Sequence, residues 1–237
     1  MTAFIYLPGY MRESLKNAIT FYVNTYTGRI ASVFDNVEEE ANEKAEEYFE
    51  ESGRYFDPDR HDPADIAEEA MERGLEYWQG VTLFQYNLKM MSIATLYQFW
   101  EQQIRKLAFE ELTRHHRLQN RKGKIIDFPS FCTKFADIEA MLKQCGVDVS
   151  TLASWDKINE LRHLQNVIKH GDGPSAKELA AIRPDFFAAT SHTRLMDLYL
   201  TTLNEKVLAV DDNEIVNYRD AIHLFWDELP ERMYLKP

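Results

Sequence analysis

Apolar residues recur at intervals of three and four along most of this chain, which is the spacing of amphipathic helices. The first such pattern covers residues 12–52, with a weak point for helix continuity at 25–28, and its second half carries a narrow apolar stripe on an acidic surface. A new helix start follows, with Asp62 as N-cap residue and Pro63 at the first helical position. Together these patterns predict a protruding acidic helical hairpin over residues 10–75.

The stretch 81–112 is apolar on nearly every side, so it predicts a central helix that other helices surround. It continues the preceding helix, either unbroken or interrupted at Gly74 or Gly80. Further helices are predicted over residues 128–145, 154–170, 175–182, a short piece near 195–203, and 213–229. The one credible strand covers residues 206–210. The sequence therefore predicts a single all-α domain over residues 1–237, a helical bundle with at most one short strand or hairpin.

A stripe of polar side chains follows one of the predicted helices. Arg162, Asn166 and His170 lie four residues apart, so each is rotated from the one before by about 40° around the helix axis. A guanidinium, an amide and an imidazole on one strip can hold a phosphate and move a proton. Arg162, Asn166 and His170 are therefore the candidate catalytic residues, with Gln165 and Lys169 in supporting positions.

The end of that helix also has an architectural interpretation. Gly171 suits a helix cap, and Lys169 and His170 lie in the last turn, where positive charge complements the helix dipole. Residues 171–175 are assigned to architecture, with Ser175 opening a capping box for the next helix. His170 is either a capping cation or a chemical group, since histidine serves both purposes.

Asn166, His170 and Gly171, ending a helix in an all-helical chain, resemble the motif of the HEPN superfamily. Active members of that superfamily are metal-independent ribonucleases that carry Arg, a polar residue, three variable residues and His near a helix end. Gln165 occupies the arginine position in this sequence, and Arg162 lies one turn earlier on the same stripe as His170. The resemblance implies a homodimer from a bacterial conflict system, such as a toxin–antitoxin pair or phage defence, with the site formed where two copies of the motif meet.

If the resemblance extends to catalysis, it implies RNA cleavage by attack of a ribose 2′-OH on the adjacent phosphate. His170 would be the general acid or base, Arg162 would stabilise charge, and Asn166 would position the phosphate. The rival hypothesis, favoured by Gln165, is a catalytically inactive relative that binds RNA, a nucleotide or a partner protein with the same surface. A purely structural bundle is a third possibility. None of these hypotheses calls for a cofactor or a metal ion.

Glu101 is a candidate supporting residue because it follows Trp100 in the predicted central helix, where a buried carboxylate needs a partner. Arg105, one turn later, is the ordinary partner. The alternative is an ion pair across the core with Arg162 or His170, which would make Glu101 part of the site.

A cluster of cations covers residues 114–124 and is the best candidate for contacting RNA phosphates. The candidate RNA-binding residues are Arg114, His115, Arg117, Arg121, Lys122 and Lys124. The alternative is a helix C-terminus stabilised by cations and followed by a solvated loop. No aromatic residues interleave the cluster, so stacking on unpaired bases is not indicated.

The net charge of −12 is concentrated in one segment. Residues 35–70 contain fifteen acidic and three basic residues, so this segment alone sums to −12 and the remainder is neutral. This distribution of charge argues against a general nucleic-acid coat but not against a local RNA-binding surface. The acidic helical segment 35–70 is a candidate surface for a protein partner.

The remaining composition indicates a folded protein of the reducing cytoplasm. Apolar residues make up 45% of the 237-residue chain, and Cys132 and Cys145 are its only cysteines, without metal-binding spacing. The first residues lack the pattern of a signal peptide, and no run of apolar residues is long enough to span a membrane. Phosphate-binding glycine loops and common hydrolase motifs are also missing from the sequence.

Overall fold

A computed structural model describes residues 3–115, 117–119, 122–190 and 193–236. The fold is mostly helical, as predicted. The helices are α1 (Gly9–Thr25), α2 (Val37–Gly53), α3 (Pro63–Thr113), α4 (Phe135–Gln144), α5 (Trp155–His170), α6 (Pro174–Ile182), α7 (Leu195–Tyr199) and α8 (Glu214–Glu228). The strands are β1 (Phe4–Tyr6), β2 (Ala189–Thr190), β3 (Thr193–Arg194) and β4 (Arg232–Tyr234).

Helix α3 lies at the centre of the fold, and α1, α5 and α8 pack against its C-terminal half. Trp100 of α3 is fully buried, and its ring lies 5.5 Å from that of Phe225, 5.9 Å from that of Trp155 and 6.0 Å from that of Phe135. These rings belong to α8, α5 and α4, so one side chain joins four helices. The prediction that 81–112 forms a surrounded central helix is confirmed.

Helix α3 is continuous over 51 residues. Asp62 caps it as predicted, since its Oδ1 accepts a hydrogen bond of 2.8 Å from the Ala64 amide. Gly74 does not interrupt the helix. It lets α2 approach closely, because a Cβ atom at this position would lie 2.8 Å from the carbonyl oxygen of Ala41.

The acidic hairpin is shorter than the predicted 10–75. It consists of α2 and the N-terminal half of α3, whereas α1 belongs to the core, where Ile19 and Val23 are fully buried. Arg12 fixes α1 to the end of α8 by donating to the carbonyl oxygens of Asp227 and Leu229, both at 2.8 Å. A π-helical turn at Tyr26–Ile30 and a 3-10 turn at Ala31–Phe34 separate α1 from α2, close to the predicted weak point at 25–28.

Two short strand pairs occur in the described residues, so the prediction of at most one strand or hairpin is wrong. Strand β1 pairs antiparallel with β4, and β2 pairs antiparallel with β3. Strands of two or three residues are too short to show alternation in the sequence. The predicted strand 206–210 instead begins in a turn, exposes Lys206 and Ala209, and makes a single bridge, between Leu208 and Phe187.

None of the described helices combines the length and the apolar composition that crossing a membrane requires.

Replacing Gly74 with Ala is expected to destabilise the protein by about 1–3 kcal/mol, because the added methyl group overlaps the Ala41 carbonyl. Gly80 is the matched control in the same helix, since a Cβ atom there meets nothing within 4 Å. G80A is expected to stabilise by about 0.5–1 kcal/mol through helix propensity. Urea unfolding followed by circular dichroism measures both, and equal effects of the two substitutions would contradict the close α2–α3 packing.

Candidate functional site

The predicted site lies on α5, which extends from Trp155 to His170 and buries Leu161, Leu164 and Val167. The helix ends at Gly171, whose φ of 71° favours glycine. A Cβ atom at this position would also lie 2.9 Å from the carbonyl oxygen of Leu200. Gly171 is therefore architectural, as predicted.

The guanidinium of Arg162 is held toward the start of α5. Its Nε and Nη2 donate to Oδ1 of Asn159 at 3.0 and 2.8 Å, and Nη2 also lies 2.7 Å from Nε2 of His163. The guanidinium carbon lies 4.6 Å from the centre of the Phe135 ring, a cation–π distance. These contacts hold the guanidinium on the N-terminal side of Arg162. It therefore lies away from Asn166 and His170, which follow Arg162 along the helix.

His163 is a buried residue that the sequence analysis missed. Only 5% of it is exposed, its Nε2 faces Arg162, and its Nδ1 lies 2.9 Å from Oε2 of Glu178 on α6, outside good hydrogen-bond geometry. Burial, together with the charge of Arg162, lowers the pKa of His163 against the opposing effect of Glu178. The imidazole is therefore neutral near pH 7, and Nε2 accepts from the guanidinium.

The assignment of Ser175 to a capping box that opens α6 is wrong. Helix α6 begins at Pro174, with Gly173 as its N-cap residue, so the carboxylate of Glu178 is free to face His163. Proline at the first helical position needs no partner for a backbone N–H, which removes one reason for a capping side chain.

Gln165, in the position of the HEPN arginine, is buried with only 4% exposure. Its Nε2 donates to Oδ1 of the half-buried Asn166 at 2.6 Å. The side chain in this position is thus neutral and inside the fold, and it orients the neighbouring amide.

His170 is exposed in the last turn of α5, and it makes no hydrogen bond or ion pair with the residues that the structure describes. Eight residues separate it from Arg162, an axial rise of about 12 Å. Because the Arg162 guanidinium is engaged on the far side of this interval, the two groups do not converge within one chain. The predicted catalytic function of Arg162, Asn166 and His170 stays a prediction.

Glu101 is half-buried where α3 packs on α5. Burial raises the pKa of Glu101, and the cations Arg105 and Lys169 counteract this shift. The predicted ion pair with Arg162 or His170 is not among the contacts of the described residues. The reason is geometric, because Arg162 is directed toward Phe135 and the cation of α5 that acts on Glu101 is Lys169.

The described residues of the basic cluster 114–124 follow the end of α3, and most of them are exposed. Arg114 is ion-paired with Glu111, a buried carboxylate that also accepts from the Tyr6 amide at 3.3 Å, so this residue has an architectural function. His115, Arg117, Lys122 and Lys124 are exposed. Arg121 lies outside the described residues. RNA binding by this cluster stays a prediction.

A partly buried ion network that the sequence analysis missed fixes α5 against α8. Oε1 of Glu160 accepts from Lys157 at 2.7 Å, from Arg183 at 2.8 Å and from the Tyr218 hydroxyl at 2.7 Å. Lys157 and Arg183 also bind Glu214 at 2.7 and 3.0 Å. Burial acts to raise the pKa of Glu214, but these two hydrogen bonds outweigh it and hold the pKa below its usual value. Since every charge is paired, the network positions α5 and offers no free reactive group.

Metal and thiol chemistry have little support in the described part of the chain. It contains no group of three or more His, Cys, Asp and Glu side chains that could hold a metal ion. Burial raises the pKa of Cys132 to about 11 and that of Cys145 to about 11, so neither thiol is an activated nucleophile.

The chain matches no protein-family model, no curated protein and no solved structure. The resemblance to the HEPN superfamily therefore rests on Asn166, His170 and the helical fold alone.

The free energy of unfolding is expected to decrease as the pH falls below about 6.5, the ordinary pKa of histidine. The unfolded chain gains a proton on His163 in this range, whereas the folded chain, with a lowered pKa, does not. Above about pH 7 both states are neutral and the contribution vanishes. His223, whose pKa burial also lowers, adds to the same slope.

Urea unfolding between about pH 7.5 and about pH 5 measures this slope. H163Q is expected to flatten it in part, and H170Q, which changes an exposed imidazole of the same helix, is the matched control. Identical slopes for H163Q and the wild type would refute a buried neutral His163.

Proposed function

We propose that this chain is a HEPN-like cytoplasmic protein of a bacterial conflict system, toxin–antitoxin or phage defence, that binds RNA at the C-terminal end of α5 without cleaving it. One observation carries the choice of binding over cleavage. The Arg162 guanidinium is held by Asn159 and His163, and the arginine position of the motif contains the buried neutral Gln165. A HEPN site needs a guanidinium beside its histidine, and among the described residues of its own chain His170 has none.

RNA binding is supported by the cations exposed near this surface and at the end of α3. Lys169 and His170 occupy the last turn of α5, and His115, Arg117, Lys122 and Lys124 are exposed in the basic cluster. Cations of this kind contact phosphates without reading sequence. A homodimer, implied by the resemblance alone, would place two such α5 ends on one assembly.

A metal-independent endoribonuclease is the alternative, and two features favour it. His170 is exposed, and Glu101, a carboxylate whose pKa burial raises, lies near Lys169. Both are suitable proton-transfer groups. Catalysis would then require the partner copy to supply the missing positive charge.

Lys169→Ala is expected to weaken binding of a labelled single-stranded RNA, because it removes one phosphate contact. The slope of log K against log salt concentration should fall by about 0.7. Fluorescence anisotropy at several salt concentrations, with EDTA present, measures both. Lys44→Ala is the matched control, since Lys44 is an exposed lysine on the acidic helix α2 and its removal should leave binding unchanged.

Gel analysis of the same RNA mixtures separates binding from catalysis. Intact RNA with wild-type protein supports the proposal. Cleavage that disappears in both R162A and H170A would establish the enzyme instead, and cleavage retained in both would indicate a contaminating nuclease. Failure of the wild type to bind RNA at low salt would refute RNA binding at this surface.

A protein partner on the acidic hairpin is a second candidate function. Helices α2 and α3 enclose a groove of about 390 Å³ around Gly74, where the apolar side chains Met71 and Leu75 are 73% and 53% exposed. Glu38 lies at its edge, within the segment that carries the excess negative charge of the chain. Apolar side chains beside the carboxylate of Glu38, on an acidic segment of the chain, fit a basic amphipathic helix.

Trp78 reports directly on this groove because it is 37% exposed, whereas Trp100, Trp155 and Trp226 are buried. A basic amphipathic helical peptide is expected to protect Trp78 from iodide quenching and to shift its emission to shorter wavelength. Leu75→Ser should weaken this binding about fivefold or more. A peptide with the same apolar face and acidic flanks is the control, and equal protection by both peptides would contradict charge recognition. Protection that grows with protein concentration in the absence of peptide would identify a second copy as the occupant.

A further inference from the structure

An apolar groove of about 360 Å³ lies between α1 and α3. Tyr22 of α1 and Phe99 of α3 pack edge to face in it, with ring centres 5.4 Å apart, and Phe21 and Leu88 also contribute to its lining. Every residue that lines this groove is uncharged. It is separate from the acidic groove around Gly74, because the two share no lining residue.

Three large apolar side chains on this surface have most of their area in solvent. Phe21 is 75% exposed, Phe84 60% and Met91 63%. Phe84 and Met91 lie on the same face of α3 as Leu88, since they are four residues before it and three residues after it. Together with the groove, these three side chains form what we call the apolar face. A fully exposed phenylalanine presents roughly 200 Å², so the three side chains leave roughly 400 Å² of apolar area in water. Apolar patches larger than a few hundred Å² are rare on monomeric proteins and mark interaction sites.

The segments that carry the apolar face contain no acidic residue, although the protein is strongly acidic. Residues 14–28 and 77–100 include no Asp or Glu, in a chain with 39 acidic residues and a net charge of −12. Asp212, which borders the neighbouring cavity together with Tyr26, is neutralised by Lys89 at 2.8 Å. Two copies of so acidic a protein repel each other, and this face lets them approach without opposing carboxylates. A partner recognised by its charge has nothing to bind here, so the charge pattern favours an occupant that is itself neutral and apolar.

The apolar face contains both a groove and protruding side chains that fit one. When the same face of two copies meets about a twofold axis, a side chain that protrudes from one copy enters the groove of the other, and the reverse. The exposed area of Phe21, Phe84 and Met91 is about half of the roughly 800 Å² that each partner buries in a stable interface. The half-buried groove residues add to it, and the exposed amides of Asn17 and Asn24, on the same side of α1 as Phe21, provide an uncharged polar rim.

We propose that the apolar face binds the same face of a second copy of this chain, which gives a twofold-symmetric dimer. Phe21 of each copy packs in the groove of the other, and Phe84 and Met91 extend the contact along α3. This contact is independent of RNA binding, because neither α5 nor the basic cluster contributes to the groove, so the two proposals fail separately. It also differs from the contact that the HEPN resemblance implies, which joins the α5 ends.

Sedimentation velocity of the full chain between about 1 and about 100 μM tests the proposal. The wild type is expected to sediment with the mass of two chains at the upper end of this range. F21E and M91E each place a carboxylate against the apolar face of the partner, and each should raise the dissociation constant about tenfold or more. M71E is the matched control, because it adds the same charge at an exposed methionine of α3 in the acidic groove and should leave the dimer unchanged.

Circular dichroism verifies that each variant is folded, which is expected because all three positions are exposed. A wild type that stays monomeric over the whole range overturns the proposal, and its binding to phosphatidylcholine vesicles would then identify a lipid surface as the occupant. An F21E variant that dimerises as tightly as the wild type also overturns it. Equal weakening by F21E and M71E would show that association responds to the net charge of the protein, with the same consequence.

Photo-crosslinking tests the symmetry of the contact. Phe21→p-benzoylphenylalanine is expected to form a covalent dimer whose adduct, located by mass spectrometry, lies on α1 or α3 at the groove of the other copy. Adducts confined to other elements would show that the face meets a different surface of the second copy, which overturns the twofold contact.

Discussion

The fold depends on the burial of Trp100 among aromatic rings from three other helices. Removing a buried tryptophan side chain costs about 3–5 kcal/mol, a large share of the roughly 5–15 kcal/mol that stabilises a typical domain. The Phe135 and Trp155 rings of this cluster stack at 5.0 Å, which fixes α4 against the start of α5. Because Phe135 also accepts the Arg162 guanidinium on its face, the same cluster determines where that cation lies. The packing of the core therefore also sets the position of the arginine in the candidate site.

The ion network around Glu160 complements this cluster further along the contact between α5 and α8. A carboxylate that is largely withdrawn from solvent is expensive to desolvate, and such a network stabilises a fold only when every charge is paired. It does specify one arrangement, since Lys157, Arg183 and Tyr218 must all reach the same oxygen. Helix α5 is consequently fixed at its start by aromatic rings, along its length by ions, and at its end by Gly171 under the Leu200 carbonyl.

The local elements could be predicted from the sequence, whereas the contacts between them could not. The Asp62–Pro63 start, the apolar stretch of α3 and the bounds of α5 follow from capping chemistry and periodicity, and the structure confirms them. The pairing of β1 with β4 joins segments more than two hundred residues apart and leaves no local signal.

The same limit explains the outcome at the candidate site. Periodicity places Arg162 and His170 on one stripe of α5, but the direction of the Arg162 side chain is decided by Phe135, which comes from another helix. Glu178 lies beside His163, and Lys169 lowers the pKa of Glu101. Each of these contacts joins two different helices, so the spacing of residues within one helix does not predict it. Arg162, Asn166 and His170 could be named from the sequence, whereas their partners, and the buried His163, required the fold.

The unbroken course of α3 has a mechanical consequence. Residues 74 and 101 belong to the same rod and are separated by about 40 Å along its axis, with no proline or irregular turn between them. A helix without a joint responds to a load by tilting as a whole, so a force applied at the acidic tip would be felt as a change in angle where Glu101 meets α5.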